Sequence, residues 1–226
     1  MRGALAGRLL AACFGAGVDS TAMLVALKLA DLRPDIITFA DLSAEKPETL
    51  NHLHRMNAVL VEWGWESVTV CRKETLPGTG YADLYGNCMA NETLPSLAFG
   101  LKSCSAKWKR IPQDQLIKGV KSGPNACPPH PIWIEAGRRG ERIVKLIGYD
   151  CGRADIRRSR NLAVADAQFR LRLSAADARM GSRSLHPDHH RDARHGDGAN
   201  QIGLLLLPGV EDLGAVLAGG LPSRPA

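Results

Sequence analysis

Residues 13–23 read CFGAGVDSTAM, a turn of small residues set between two apolar runs. GRLLAACF (7–14) before it has the make-up of a short buried strand, and STAMLVALKLA (20–30) after it is rich in helix formers. A strand that feeds a tight turn and then a helix start ties a sheet to a covering helix. It also creates an anion site, because the opening N–H groups of a helix lack intrahelical partners and the peptide dipoles favour negative charge there. Gly15 and Gly17 can adopt positive φ and let the backbone approach a phosphate closely. Ser20 and Thr21 are expected to add hydroxyl donors. The turn is therefore read as a nucleotide phosphate loop.

The rest of the first 150 residues alternates strand and helix signals, which points to an α/β fold with a mostly parallel sheet covered on both faces. PDIITFAD (34–41) is a short apolar run ending in an acid, and SVTVCRK (67–73) and RIVKLIGYD (142–150) read as further strands. Pro47 opens a helix through PETLNHLHRMNAVLVEWG (47–64), with Glu48 in its first turn. The polar stretch from Glu74 to Asn91 is long for a plain connection and is expected to be functional. Helical signals return in TLPSLAFGL and from Ala106 to Val120, where Pro112 marks a break or a new start. Asp41, at the carboxyl end of the second strand, sits where open α/β sheets bind ligands, so it is placed to meet a ribose or a metal ion. The same loop reads equally as a helix cap, with Ser43 as cap and Glu45 and Glu48 favouring the dipole.

With 45% hydrophobic and 23% charged residues, the chain has the composition of a soluble globular protein. No apolar run approaches the roughly 18 residues a bilayer span requires. The apolar N-terminus runs straight into the phosphate loop and reads as a first strand rather than an export signal, so a cytoplasmic location is expected. A net charge of +6 suits an anionic ligand. Without interleaved aromatics it does not point to nucleic acid. Six cysteines, at 13, 71, 88, 104, 127 and 151, lack close pairing and read as thiols or metal ligands rather than disulfides.

Four blocks in order carry a resemblance. Gly15-Ala16-Gly17-Val18-Asp19-Ser20 occupies the positions of a Ser-Gly-Gly-x-Asp-Ser pyrophosphate loop, with no Gly-Lys-Ser/Thr and no third glycine at dinucleotide-fold spacing. FADLSAEKPET (39–49) is similar to a D-T-G-A-E-x-P-E-T stretch, from which Leu42 and Ser43 depart. ETLPSLAFGLKSCSAKWKRIPQD (92–114) resembles L-P-S-x-A-x-G-x-K-x-C-S-x-K-x-K, and IGYD (147–150) a strand-end segment. Together they resemble the phosphoadenosine phosphosulfate (PAPS) reductase-like branch of the adenine nucleotide α-hydrolase, or PP-loop ATP pyrophosphatase, superfamily.

The resemblance implies a Rossmann-like, doubly wound sheet of that superfamily's type over residues 1–169. It implies ATP or PAPS as ligand, with Mg²⁺, and enzymatic attack at the α-phosphorus or transfer of sulfur or adenylyl groups to an acceptor. Gly15, Ala16, Gly17, Asp19, Ser20, Thr21, Asp41 and Lys102 would hold the nucleotide, and Asp19, Lys107 and Lys109 would serve catalysis. The nucleophilic cysteine of the sulfate-reducing branch, in a Cys-Gly-Leu-His context, has no counterpart here. For Cys104, a reactive thiol beside lysines and a buried structural thiol both remain open. The rival expectation is a nucleotide-binding module without turnover that acts through a protein partner.

Residues 170–226 form an atypical tail with no lysine, cysteine or aromatic residue. Four of the seven histidines crowd into SLHPDHHRDARH (184–195) with no apolar pattern to hold them as a metal site, and no metal is assigned. Codons for Gln201 to Pro208, read from their second base, permit Lys-Ser-Ala-Cys-Phe-Phe-Cys-Pro, the segment that the resemblance implies should lie here. In the same register, Arg179 to His186 permits Glu-Trp-Asp-Arg-Asp-x-Cys-Ile. The expectation is a reading-frame slip near residues 170–178 and a poorly packed out-of-frame tail; an intact frame with unrelated codons on resequencing would dispose of it.

Overall fold

The computed structural model describes residues 5–76, 78–93, 105–123, 126–149 and 169–173, all inside one compact unit spanning residues 1–184. In chain order these form β1 (Leu10–Cys13), α1 (Val18–Leu29), β2 (Ile36–Asp41), α2 (Pro47–Glu62), β3 (Thr69–Arg72) and α3 (Leu84–Ala90). A π-helical turn (Ser105–Arg110) then leads into α4 (Ile111–Lys118), followed by α5 (Pro131–Arg139), β4 (Ile143–Ile147) and β5 (Phe169–Leu173). The strands make one five-stranded sheet in the order β3-β2-β1-β4-β5, and every neighbouring pair is parallel. The expected α/β architecture is present.

The strands alternate strictly, and the alternation sorts the core into two layers. Leu10, Ala12, Ile37, Phe39, Val144 and Leu146 face α1 and α2, where Met23, Leu24, Leu27, Leu53, Met56 and Leu60 meet them. Leu9, Ala11, Ile36 and Ile143 face the other way, onto Ile117 of α4, Ile132 and Ala136 of α5 and Phe169 of β5. In β1 two alanines, fully buried, let helices approach the sheet centre from both sides. On α2 the residues Leu53, Met56 and Leu60 fall on one stripe, each contributing about 1.5–3 kcal/mol by burial.

Polarity enters the second layer at one point. Lys145, in the middle of β4, is 3% exposed, bonds Asp114 of α4, and lies 4.4 Å from the Phe169 ring centroid. A buried cation is tolerated there because a carboxylate and an aromatic face replace its water.

Two outcomes differ from the sequence reading. PIWIEAGRR (131–139), unassigned from the sequence, is helix α5: Pro131 stands at its first position and His130 caps it. The cap of α2 is Lys46 with no side-chain hydrogen bond, so Ser43 does not serve. Beside β4, strand β5 runs in register from Phe169 to Leu173. The tail beyond 173, its histidines, and the segment TLPSLAFGL beyond Thr93 lie outside the described residues.

Candidate functional site

Because all strands are parallel, Cys13, Asp41, Arg72 and Ile147 end at one edge of the sheet. The chain builds outward from β1 to β3, then returns to place β4 on the other side of β1. The β1–α1 loop therefore lies at the point where strand order reverses, where open α/β sheets open a crevice.

The loop does not use the conformational freedom of its glycines. Neither Gly15 nor Gly17 has positive φ; Gly17 is extended, at φ −105°. The left-handed residue is Ala16, at φ +51°, buried between two exposed glycines. A β-carbon on Gly17 would meet no atom within 4 Å, so the loop's outer surface is bare backbone.

The two hydroxyls are turned inward. Ser20 Oγ donates to the Gly17 carbonyl at 2.9 Å and accepts from the Gly17 N–H at 3.2 Å. Thr21 Oγ1 donates to the same carbonyl at 2.9 Å, and the Thr21 N–H reaches it at 3.0 Å. Both side chains are buried. Ser20 and Thr21 thus shape the loop rather than present their hydroxyls outward. Asp19 is exposed in the first turn of α1.

Gly148, just past β4, escaped the sequence reading as a site residue. A β-carbon there would lie 2.6 Å from the Asp19 carbonyl group and the Ser20 nitrogen. The end of β4 therefore presses directly on the backbone of the first turn of α1. The signal was present in the quoted IGYD block, but only the tertiary contact shows what the glycine is for.

At the end of β2 Asp41 is fully engaged. One oxygen accepts from the Ser43 N–H at 2.7 Å and the other pairs with Arg72 of β3. Ser43 stands at φ +55°. Glu45 follows in the same loop and lies 3.6 Å from Lys109 Nζ; its Oε1 is buried without a hydrogen bond. Lys109 is carried there by the π-helical turn, which packs against β2 and is anchored by buried Trp108. Lys73 lies 4.9 Å from the Trp108 ring centroid, and the Tyr81 ring 6.5 Å away. Lys107 is exposed on the same turn. Lys102 and Cys104 lie outside the described residues.

The thiols Cys13, Cys71, Cys88 and Cys127 are free. Burial pushes the Cys71 thiol up to about 12 and raises that of Cys13, so neither supplies a thiolate near neutrality. Among the described residues no three His, Cys, Asp or Glu side chains gather as a metal cage. No described helix is long and apolar enough to cross a membrane. No protein-family model matches the chain, and no curated protein or solved structure is significantly similar to it.

Proposed function

We propose that this chain binds an adenine nucleotide, ATP or PAPS, with its phosphates on the β1–α1 loop, and belongs to the PAPS reductase-like branch of the PP-loop superfamily. The observation that carries this reading is conformational. Ala16 and Ser43 stand where the two resembled motifs have glycine, and both adopt left-handed φ, at +51° and +55°. Random similarity in composition would not place both departures at backbone positions that favour glycine.

In this reading the bare backbone of residues 15–17 and the opening amides of α1 receive the phosphates. Asp41 lies toward the ribose, and Lys107 and Lys109 offset charge that develops as an acceptor attacks the α-phosphorus and pyrophosphate leaves. Mg²⁺, when bound, would neutralise phosphate charge; Glu45, whose Oε1 has no hydrogen bond and lies within ion-pair reach of Lys109, and exposed Asp19 are the carboxylates that would hold it.

Pyrophosphate release from ATP with Mg²⁺ tests the enzyme reading, comparing the chain with Asp19→Ala. Turnover that falls at least tenfold in the variant is the expected result. Equal binding without turnover in both proteins favours a non-catalytic module, a reading supported by the closure of Asp41 against Arg72 and the Ser43 N–H. Absence of binding to ATP and PAPS alike overturns both.

A further inference from the structure

His52 lies on α2, yet its ring reaches the β1–α1 loop: Nε2 is 2.8 Å from Thr21 Oγ1. The ring is half-buried, and the Phe14 ring centroid is 6.2 Å away. Donor counting assigns the proton. A threonine hydroxyl carries one hydrogen, and Thr21 spends it on the Gly17 carbonyl. With that hydrogen on the Gly17 carbonyl, the second contact on the oxygen is read as an N–H from His52, which puts the proton of the neutral ring on Nε2. Burial and the neighbouring Arg55 hold the imidazole below its usual range, in keeping with a neutral ring.

We propose that His52 is a positioning residue for the anion loop, acting through the relay His52 Nε2–H to Thr21 Oγ1 to the Gly17 carbonyl. This rests on the loop being the phosphate site, but the relay itself does not need a ligand to be observed. The Gly17 carbonyl accepts from Thr21 N, Ser20 Oγ and Thr21 Oγ1 together. Its orientation sets the direction of the peptide plane that leads into the first turn of α1. Fixing the threonine from a second helix restrains that plane from outside the loop, so that α2 and the loop keep one relative placement when an anion arrives.

The test uses the full chain with His52→Ala, which removes the donor, and His52→Gln, whose side-chain amide presents an N–H at similar reach. Amide hydrogen exchange at residues 17–21 reads the relay without ligand. We expect about fivefold faster exchange in His52→Ala, the loss of one ordinary hydrogen bond, and recovery in His52→Gln. A long-range nitrogen–proton spectrum of the wild type should show the proton on Nε2. Calorimetry with pyrophosphate should show about fivefold weaker binding in the alanine variant and near wild-type binding in the glutamine variant. Unchanged exchange in His52→Ala, no rescue by glutamine, or a proton on Nδ1 overturns the proposal. If exchange responds as expected while no form binds pyrophosphate, the positioning role stands and the nucleotide reading falls.

Discussion

Ala16 and Ser43 hold left-handed backbone that costs an L-residue about 1–2 kcal/mol. Glycine removes the steric part and returns some of it as unfolded-state entropy. Ala16→Gly and Ser43→Gly should each stabilise the protein by about 0.5–1 kcal/mol, read as a higher urea midpoint at unchanged slope. The exposed Ser43 gives the cleaner measurement, because Ala16 also loses a buried methyl. Gly148 behaves oppositely. Its missing β-carbon admits the backbone of Asp19 and Ser20, which cannot rotate away as a side chain would. Gly148→Ala should cost about 1–3 kcal/mol through overpacking and displace the start of α1. Nucleotide or pyrophosphate titration of the refolded variant should show weakened binding even where circular dichroism shows the fold intact.

Between elements, α4 and β4 meet through a buried ion pair. Lys145 is sealed beneath α4, with Asp114 as its counter-charge. Asp114→Ala strands a buried cation and should cost about 3–5 kcal/mol in chemical denaturation. Replacing both partners, with Asp114→Leu and Lys145→Met, should recover most of that loss, since the desolvation penalty goes with the charge. A double variant no more stable than Asp114→Ala would show that the pair is not what locks α4 to the sheet. Sequence pattern located β4 within one residue at its start and three at its end, because RIVKLI is a compact apolar run. The partner that makes its lysine tolerable lies 31 positions away, and no local pattern connects them.

For the whole molecule, acid is the informative perturbation. His52 and His130 are both held below the usual imidazole value of 6.5, chiefly by burial. The unfolded chain therefore takes up protons more readily than the folded one. Stability is fully present above about pH 6.5 and is lost as pH falls from there through the lower folded values. His130 gives a structural reason: its Nδ1 accepts from the Ile132 N–H at 3.3 Å as the cap of α5, and a protonated ring cannot accept. Tm should fall between pH 7 and pH 5. His130→Asn, a cap that does not titrate, should flatten that fall by about 1 kcal/mol. An unchanged slope would place the acid sensitivity elsewhere.

What the sequence alone determined were features that repeat locally. Apolar runs of strand length, the Pro47 helix start and the small-residue turn at 14–17 each declare themselves within a few residues, because sheet and helix periodicities are local rules. Helix α5 was missed because proline and glycine crowd its flanks, and the propensity of IWIEA was outweighed until packing of Ile132 and Ala136 on the sheet decided it. Tertiary structure alone decided which backbone turned left-handed, that Ser20 and Thr21 point inward, and that Asp41 is closed by Arg72. Those outcomes depend on groups brought from distant strands and helices. Hydrogen-bond partners and excluded volume belong to the assembled layers, and no residue carries them by itself.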